Sequence, residues 1–208
     1  MENKKIIINV GRQLGSGGRV VAKMLADDFG CGFYDRELLN LAAKESGFRE
    51  ELFEQNDEHK GFFRSLFHTL SPHVSETSFY NNDMSQEGLF KFQSDAIRKA
   101  ADAGSCVFVG RCADYILNGR KNVIKVFLYA SIDERVKRVA KHHSISEQDA
   151  RTLIYKTDKK RANYYNYYTS LKWGKNENYN LMIDTTEIGV EGAVRIITEY
   201  VRMLEEKE

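Results

Sequence analysis

The sequence predicts an α/β fold, a three-layer sandwich with a mostly parallel sheet of five strands between two layers of helices. Two observations carry that expectation. Short β-branched runs alternate with helical-period segments along the chain, an order that builds parallel sheets covered on both faces. The first such run ends in a glycine-rich turn that leads directly into a helix. With 208 residues the chain can bury one large core, and a single domain over residues 1–208 is expected.

The elements follow in order. Lys5 to Val10 is a β-branched run closed by glycine, a buried strand. Val20, Val21, Met24, Leu25 and Phe29 then recur at helical spacing, and Gly30 can close that helix. Cys31 to Tyr34 is a second strand, after which Asp35 stands as N-cap of a helix through Leu38, Leu39, Leu41 and Ala42. Over about 48–90 the period weakens: Phe53, Phe62, Phe63, Phe67 and Phe79 mix with His59, His68 and His73 around Pro72, read as a helical flap. Leu89, Phe92, Ala96, Ile97 and Ala100 resume a helix that ends near Gly104. Cys106 to Val109 and Val123 to Tyr129 are strands, the former closed by Gly110. Ser131 with Glu134 forms a capping box for a helix through Val136 and Val139, and Ser146 opens the next helix. Leu181 to Ile183 is the last strand and Val190 to Leu204 the last helix.

Composition removes several classes of function. Charged residues make up 29% of the chain, and no apolar run approaches the roughly 20 residues that span a bilayer. The first ten residues lack a signal-peptide pattern, so a cytoplasmic location without membrane contact is expected. A net charge of +1 gives no general electrostatic reason for nucleic-acid binding. Cys31, Cys106 and Cys112 have neither CxxC spacing nor a framework of pairs, and are expected as reduced thiols in or near the core. His59, His68 and His73 match no helical ligand pair, and the adjacent His142 and His143 point different ways on a helix. No metal site is assigned to protein side chains.

Parallel sheets bind ligands beyond the carboxyl ends of their strands. There Gly15, Ser16, Gly17 and Gly18 can turn successive backbone N–H groups onto an anion, with the positive end of the following helix behind them. A ligand-free glycine turn is the plain alternative. A standard P-loop reads GxxxxGK[ST]. Aligned on Gly17, this chain has Arg12 for the first glycine, Gly18 for the lysine and Arg19 for the hydroxyl residue. Arg19, Arg12 or Lys23 is left to supply the missing cation. Arg19 is favoured as the nearest, and Lys23, a turn further on, is expected to face solvent.

The run Gly15 to Lys23 resembles the P-loop and first helix of bacterial cytidylate kinases. Arg12-Gln13-Leu14-Gly15-Ser16-Gly17-Gly18-Arg19 resembles the cytidylate kinase-like branch in particular. Phe33-Tyr34-Asp35, Val109 to Tyr115, Asp158 to Arg161 and Ile183-Asp184-Thr185 extend the resemblance, in order, over nearly the whole chain apart from the flap. The resemblance implies a P-loop nucleoside monophosphate kinase fold, with a lid over about 150–175, and ATP-dependent phosphoryl transfer using Mg²⁺ and nucleotide substrates. Asp35, Arg36, Arg111 and Asp114 fall where it places the acceptor. Arg36 stands where a small Ser or Thr is usual, Leu41 replaces an arginine, and Cys112 replaces an aspartate for which Asp114 can substitute. Asp35 reads equally well as a plain helix cap.

Lys156, Asp158, Lys159, Lys160 and Arg161 resemble the family's arginine-rich lid, which casts Arg19, Lys159 and Arg161 as the catalytic cations. A solvated basic helix face is the alternative. Tyr164, Tyr165, Tyr167, Tyr168 and Trp173 follow, and packing of the lid onto the core is their expected role rather than stacking on a base. Two other functions stay open. One is a nucleotide-binding regulatory module without transfer chemistry, suggested by the missing lysine and hydroxyl and by Val109 in a place often acidic in the family. The other is a kinase for a different small acceptor. Oligomeric state is not legible.

Overall fold

The computed structural model describes residues 5–35 and 86–206. Arg36, Leu41, the helix expected after Asp35, the flap up to residue 85 and the three flap histidines lie outside the described residues. Five parallel strands form one sheet: β1 (Ile7–Arg12), β2 (Gly32–Tyr34), β3 (Cys106–Val109), β4 (Val123–Tyr129) and β5 (Leu181–Asp184), in the order β2-β3-β1-β4-β5. The three central strands are largely apolar on both faces, with Asn9 of β1 a buried polar exception, as suits a sheet covered on both sides.

Helices α1 (Gly18–Asp28) and α6 (Thr185–Glu205) cover one face, where Val21, Leu25, Ala193 and Ile197 meet Ile8, Val10, Val107, Val126 and Leu128. On the opposite face α2 (Gln86–Ala103) and the short α3 (Ala113–Ile116) bring Ile97, Ala101 and Ala113 against Ile7 and Phe108. Helices α4 (Ile132–His143) and α5 (Glu147–Thr169) share a smaller cluster of Val136, Val139, Ala150 and Ile154, against which Leu14 packs. That contact brings two helices from the second half of the chain to the glycine turn.

Local chemistry sets the helix ends. Ser131 Oγ accepts the Glu134 N–H and Ser146 Oγ accepts the Asp149 N–H, so both predicted N-caps form. Asp184 caps α6 through the Thr186 N–H at 2.9 Å. Gly189, with φ 66°, interrupts α6, so the regular helix resumes at the predicted Val190 while its first turn belongs to the end of β5. The three cysteines are free thiols, Cys106 and Cys112 buried and Cys31 half-buried. Burial pushes the Cys106 and Cys112 thiols up to about 12. No described helix is long and apolar enough to cross a membrane.

Candidate phosphate site

The sheet register brings the candidate residues to one edge. Val10 pairs with Val109, and the Gly110 N–H reaches the Val10 carbonyl at 3.1 Å, so Arg111 leaves β3 beside Arg12 at the end of β1. Tyr34 pairs with Phe108 one strand further out, which sets Asp35 at the same end.

The glycine turn is left-handed at Gly15 (φ 83°) and Gly17 (φ 79°), conformations that cost a side chain. Space forbids one as well. A Cβ on Gly15 would lie 2.9 Å from the Arg135 carbonyl oxygen, and one on Gly17 would lie 2.7 Å from Val190. Gly17 is the N-cap of α1 and no side chain caps that helix, which leaves its first turn open to an anion.

Four distant residues fix the outer side of this turn. Asp158 of α5 accepts the Leu14 N–H at 2.8 Å and the Arg135 guanidinium at 2.6 Å. Arg135 of α4 also donates to the Leu14 carbonyl at 3.4 Å, and Arg138 donates to that of Gly15 at 3.5 Å. The Thr185 hydroxyl, fully buried, is shared between the carbonyls of Ser16 (2.9 Å) and Tyr129 (3.2 Å) and accepts from Arg138 (3.1 Å). With the Leu14 N–H on Asp158 and the Ser16 N–H on the Gln13 carbonyl at 3.4 Å, the Gly15 and Gly17 N–H groups are left without a hydrogen-bond partner among the described residues. Sequence reasoning did not single out Arg135 or Arg138. Their spacing of three places both on one face of α4, the signal that was present.

The predicted residues divide into groups. Arg12, Arg111 and Arg161 converge: the Arg161 guanidinium donates to the Arg12 carbonyl at 3.0 Å, and both Arg161 and Arg111 oppose the charge on Arg12. Burial first, then these two like charges, pulls the Arg12 guanidinium down to about 9, although Asp35 and Asp158 offset part of the effect. Arg111 (φ 57°) and Cys112 (φ 57°) follow Gly110 (φ 70°) in left-handed backbone, and the Arg111 guanidinium lies 4.8 Å from the centre of the Tyr164 ring. Backbone held off its preferred regions clusters at ligand sites.

Other candidates face elsewhere. Arg19, expected to replace the P-loop lysine, pairs with Asp35 at the end of β2 through Nε at 2.9 Å and Nη2 at 2.7 Å. Its side chain is 62% exposed, whereas that of Asp35 is 6% exposed. Lys23 is exposed beside Asp27, as expected. Lys159 is also exposed: on α5 the inward residues Asp158 and Arg161 are three apart, and Lys159 falls off that face. Ser16 is buried, and its hydroxyl donates to the Gln13 carbonyl at 2.9 Å, bracing the turn. Asp114 is buried and accepts the Tyr165 hydroxyl at 2.7 Å, which ties α3 to α5; burial raises its carboxyl above the usual range. Of the aromatic residues after the basic segment, Tyr165 is buried, Tyr168 stacks on Phe90 at 4.0 Å and Trp173 lies against Phe127 at 5.2 Å, whereas Tyr167 is exposed.

Among the described residues no group of three or more His, Cys, Asp or Glu side chains is placed to hold a metal. Asp158, Asp35 and Asp184 are committed to Arg135, Arg19 and the α6 cap.

A model of the cytidylate kinase-like family matches residues 7–187. A protein named cytidylate kinase from Methanopyrus kandleri is 24% identical over 212 residues, covering 98% of this chain and 96% of that protein. A solved structure of an uncharacterized protein from Eubacterium ventriosum superposes with a TM-score of 0.74 at 30% identity, covering 95% of this chain and 99% of the other. Shikimate kinase from Bacteroides thetaiotaomicron shares the fold, with a TM-score of 0.52 at 13% identity over 96% of this chain and 99% of its own.

Proposed function

The chain belongs to the cytidylate kinase-like family, and from that premise we propose that it transfers the γ-phosphoryl group of ATP to a nucleoside monophosphate, with cytidylate the first acceptor to test. The observation that carries this reading is the convergence of Arg12, Arg111 and Arg161 at the mouth of a glycine turn whose outer carbonyls are already bonded. Three neighbouring guanidinium groups repel one another, and an anion of several charges relieves the repulsion.

The turn and the end of α1 hold the donor phosphates. Arg111, fixed on the Tyr164 ring, positions the acceptor phosphate, and Arg161 reaches the transferred group from α5. An acceptor phosphate oxygen forms the new bond to the γ-phosphorus as the bond from that phosphorus to the β–γ bridging oxygen breaks. The electron pair leaves with ADP. The acceptor is already an oxyanion, so no general base is needed, and catalysis rests on alignment and on charge placed where the transition state spreads it. Mg²⁺ enters with ATP.

A second reading, nucleotide binding without transfer, is favoured by the absence of a lysine at position 18 and of a hydroxyl residue at position 19. Purified protein incubated with MgATP and a panel of monophosphates, CMP included, separates the two. Formation of ADP together with a nucleoside diphosphate supports transfer. Tight MgATP binding with no turnover on any acceptor supports the regulatory reading instead.

A further inference from the structure

We propose that Arg12 is the phosphate-binding cation in place of the P-loop lysine, and that arginine at position 12 and glycine at position 18 are one exchange made in two places. The inference rests on the turn being a phosphate site and names the residue that completes it.

Space is the first observation. A Cβ on Gly18 would lie 2.5 Å from Arg12 Cβ and 2.9 Å from its Cγ, closer than real carbon atoms approach. Position 18 is where a standard P-loop carries its lysine, so a lysine there cannot coexist with Arg12 in this pose. At the far end of the same side chain, a Cβ on Gly110 would lie 2.2 Å from Arg12 Nη1. Arg12 therefore runs along Gly18 to a guanidinium seated over Gly110, at the end of β3 and next to Arg111.

Charge is the second. Among the described residues no carboxylate lies within ion-pair distance of Arg12, and Arg161 and Arg111 act on its charge more strongly than Asp35 and Asp158 do. A half-buried arginine so placed calls for an anion, and its side chain runs along Gly18, the first residue of the uncapped helix α1. The other two cations near the turn are engaged elsewhere, Arg19 with Asp35 and Lys23 with Asp27. A guanidinium fork offers two parallel donors to phosphate oxygens, against the single point charge of lysine.

A set of variants tests both halves, with melting temperature measured without nucleotide and MgATP affinity measured by calorimetry. Arg12→Gln is expected to lose at least about tenfold in MgATP affinity with an unchanged or higher melting temperature, because a repelled charge is removed. Gly18→Lys alone is expected to melt several degrees lower and to bind poorly. Arg12→Gly combined with Gly18→Lys, which restores the first glycine and the lysine of the standard pattern, is expected to recover most of both. Wild-type affinity in Arg12→Gln overturns the electrostatic half while nucleotide binding stands. Gly18→Lys as stable as the double variant overturns the steric half. A wild-type protein that does not bind MgATP overturns the nucleotide reading itself, and the melting temperatures then still decide whether positions 12 and 18 exclude each other.

Discussion

The ends of β1 and β3 meet side by side, yet they are held by different means. After β1, the turn from Leu14 to Ser16 is fixed by polar contacts from residues more than a hundred positions away: Asp158, Arg135, Arg138 and Thr185. After β3, Gly110 to Asp114 is held by packing and ring contacts, with Arg111 on Tyr164, Cys112 buried and Asp114 bonded to Tyr165. The first region has the carbonyls of Leu14, Gly15 and Ser16 assigned before any ligand arrives. The second stores left-handed backbone at Arg111 and Cys112 beside an aromatic wall. A donor phosphate site needs a fixed shape common to all its ligands, whereas an acceptor site can be retuned by changing side chains on a wall. Damage to the first should therefore cost stability, and damage to the second should cost substrate affinity.

The largest effect is expected at Asp158. Its side chain is 15% exposed and that of Arg135 8% exposed, so Asp158→Ala strands a buried cation and the Leu14 N–H together. A loss of about 3 kcal/mol is expected, which for a chain of this size lowers the melting temperature by roughly 6–12 °C. A calorimetric scan checks it, and a near-normal melting temperature would break the contrast between the two regions. Next is Arg111→Ala, expected to raise the acceptor KM at least about tenfold through loss of a charge-assisted phosphate contact. The cation–π contact it removes is worth about 1 kcal/mol, so the melting temperature should move by no more than about 4 °C.

The strands and the N-caps at Ser131 and Ser146 were legible in the sequence because they depend on neighbours two to four residues apart. The order of the site residues was legible too. What could not be read was where the Arg12 and Arg19 side chains run. Arg19 is nearest to the turn in sequence, but in the fold it bonds Asp35 at the end of β2. Arg12 ends a strand, and its direction depends on two glycines, Gly18 and Gly110, that only the fold brings to it. The Arg135, Arg138 and Thr185 contacts likewise exist only after β1, β4 and β5 have paired.

A smaller effect sharpens the acceptor side. The Asp114 carboxyl is raised by burial, so the folded state holds its proton more tightly than the unfolded chain does. The stability this contributes is fully present below the ordinary carboxylate value and is lost as pH rises through the raised one. Asp114→Asn removes that loss and keeps an acceptor for Tyr165. Urea unfolding at stepwise pH should therefore show the variant gaining on the wild type as pH rises from the acid side toward neutrality. A constant difference between the two would assign the pH dependence to other groups. The smallest effect is expected at Lys159, exposed on α5. Lys159→Ala should change turnover by no more than about threefold, as removal of a screened surface charge does. A loss as large as that in Arg161→Ala would return Lys159 to the site.

The central claim is that the turn from Gly15 to Gly18 receives phosphate through its backbone. Amide proton and nitrogen shifts followed by NMR during a MgATP titration test it most directly. The Gly15, Gly17 and Gly18 amides are expected to move most, and MgCl₂ alone is expected to leave them in place. Saturating MgATP that shifts amides elsewhere while those three stay fixed would contradict it.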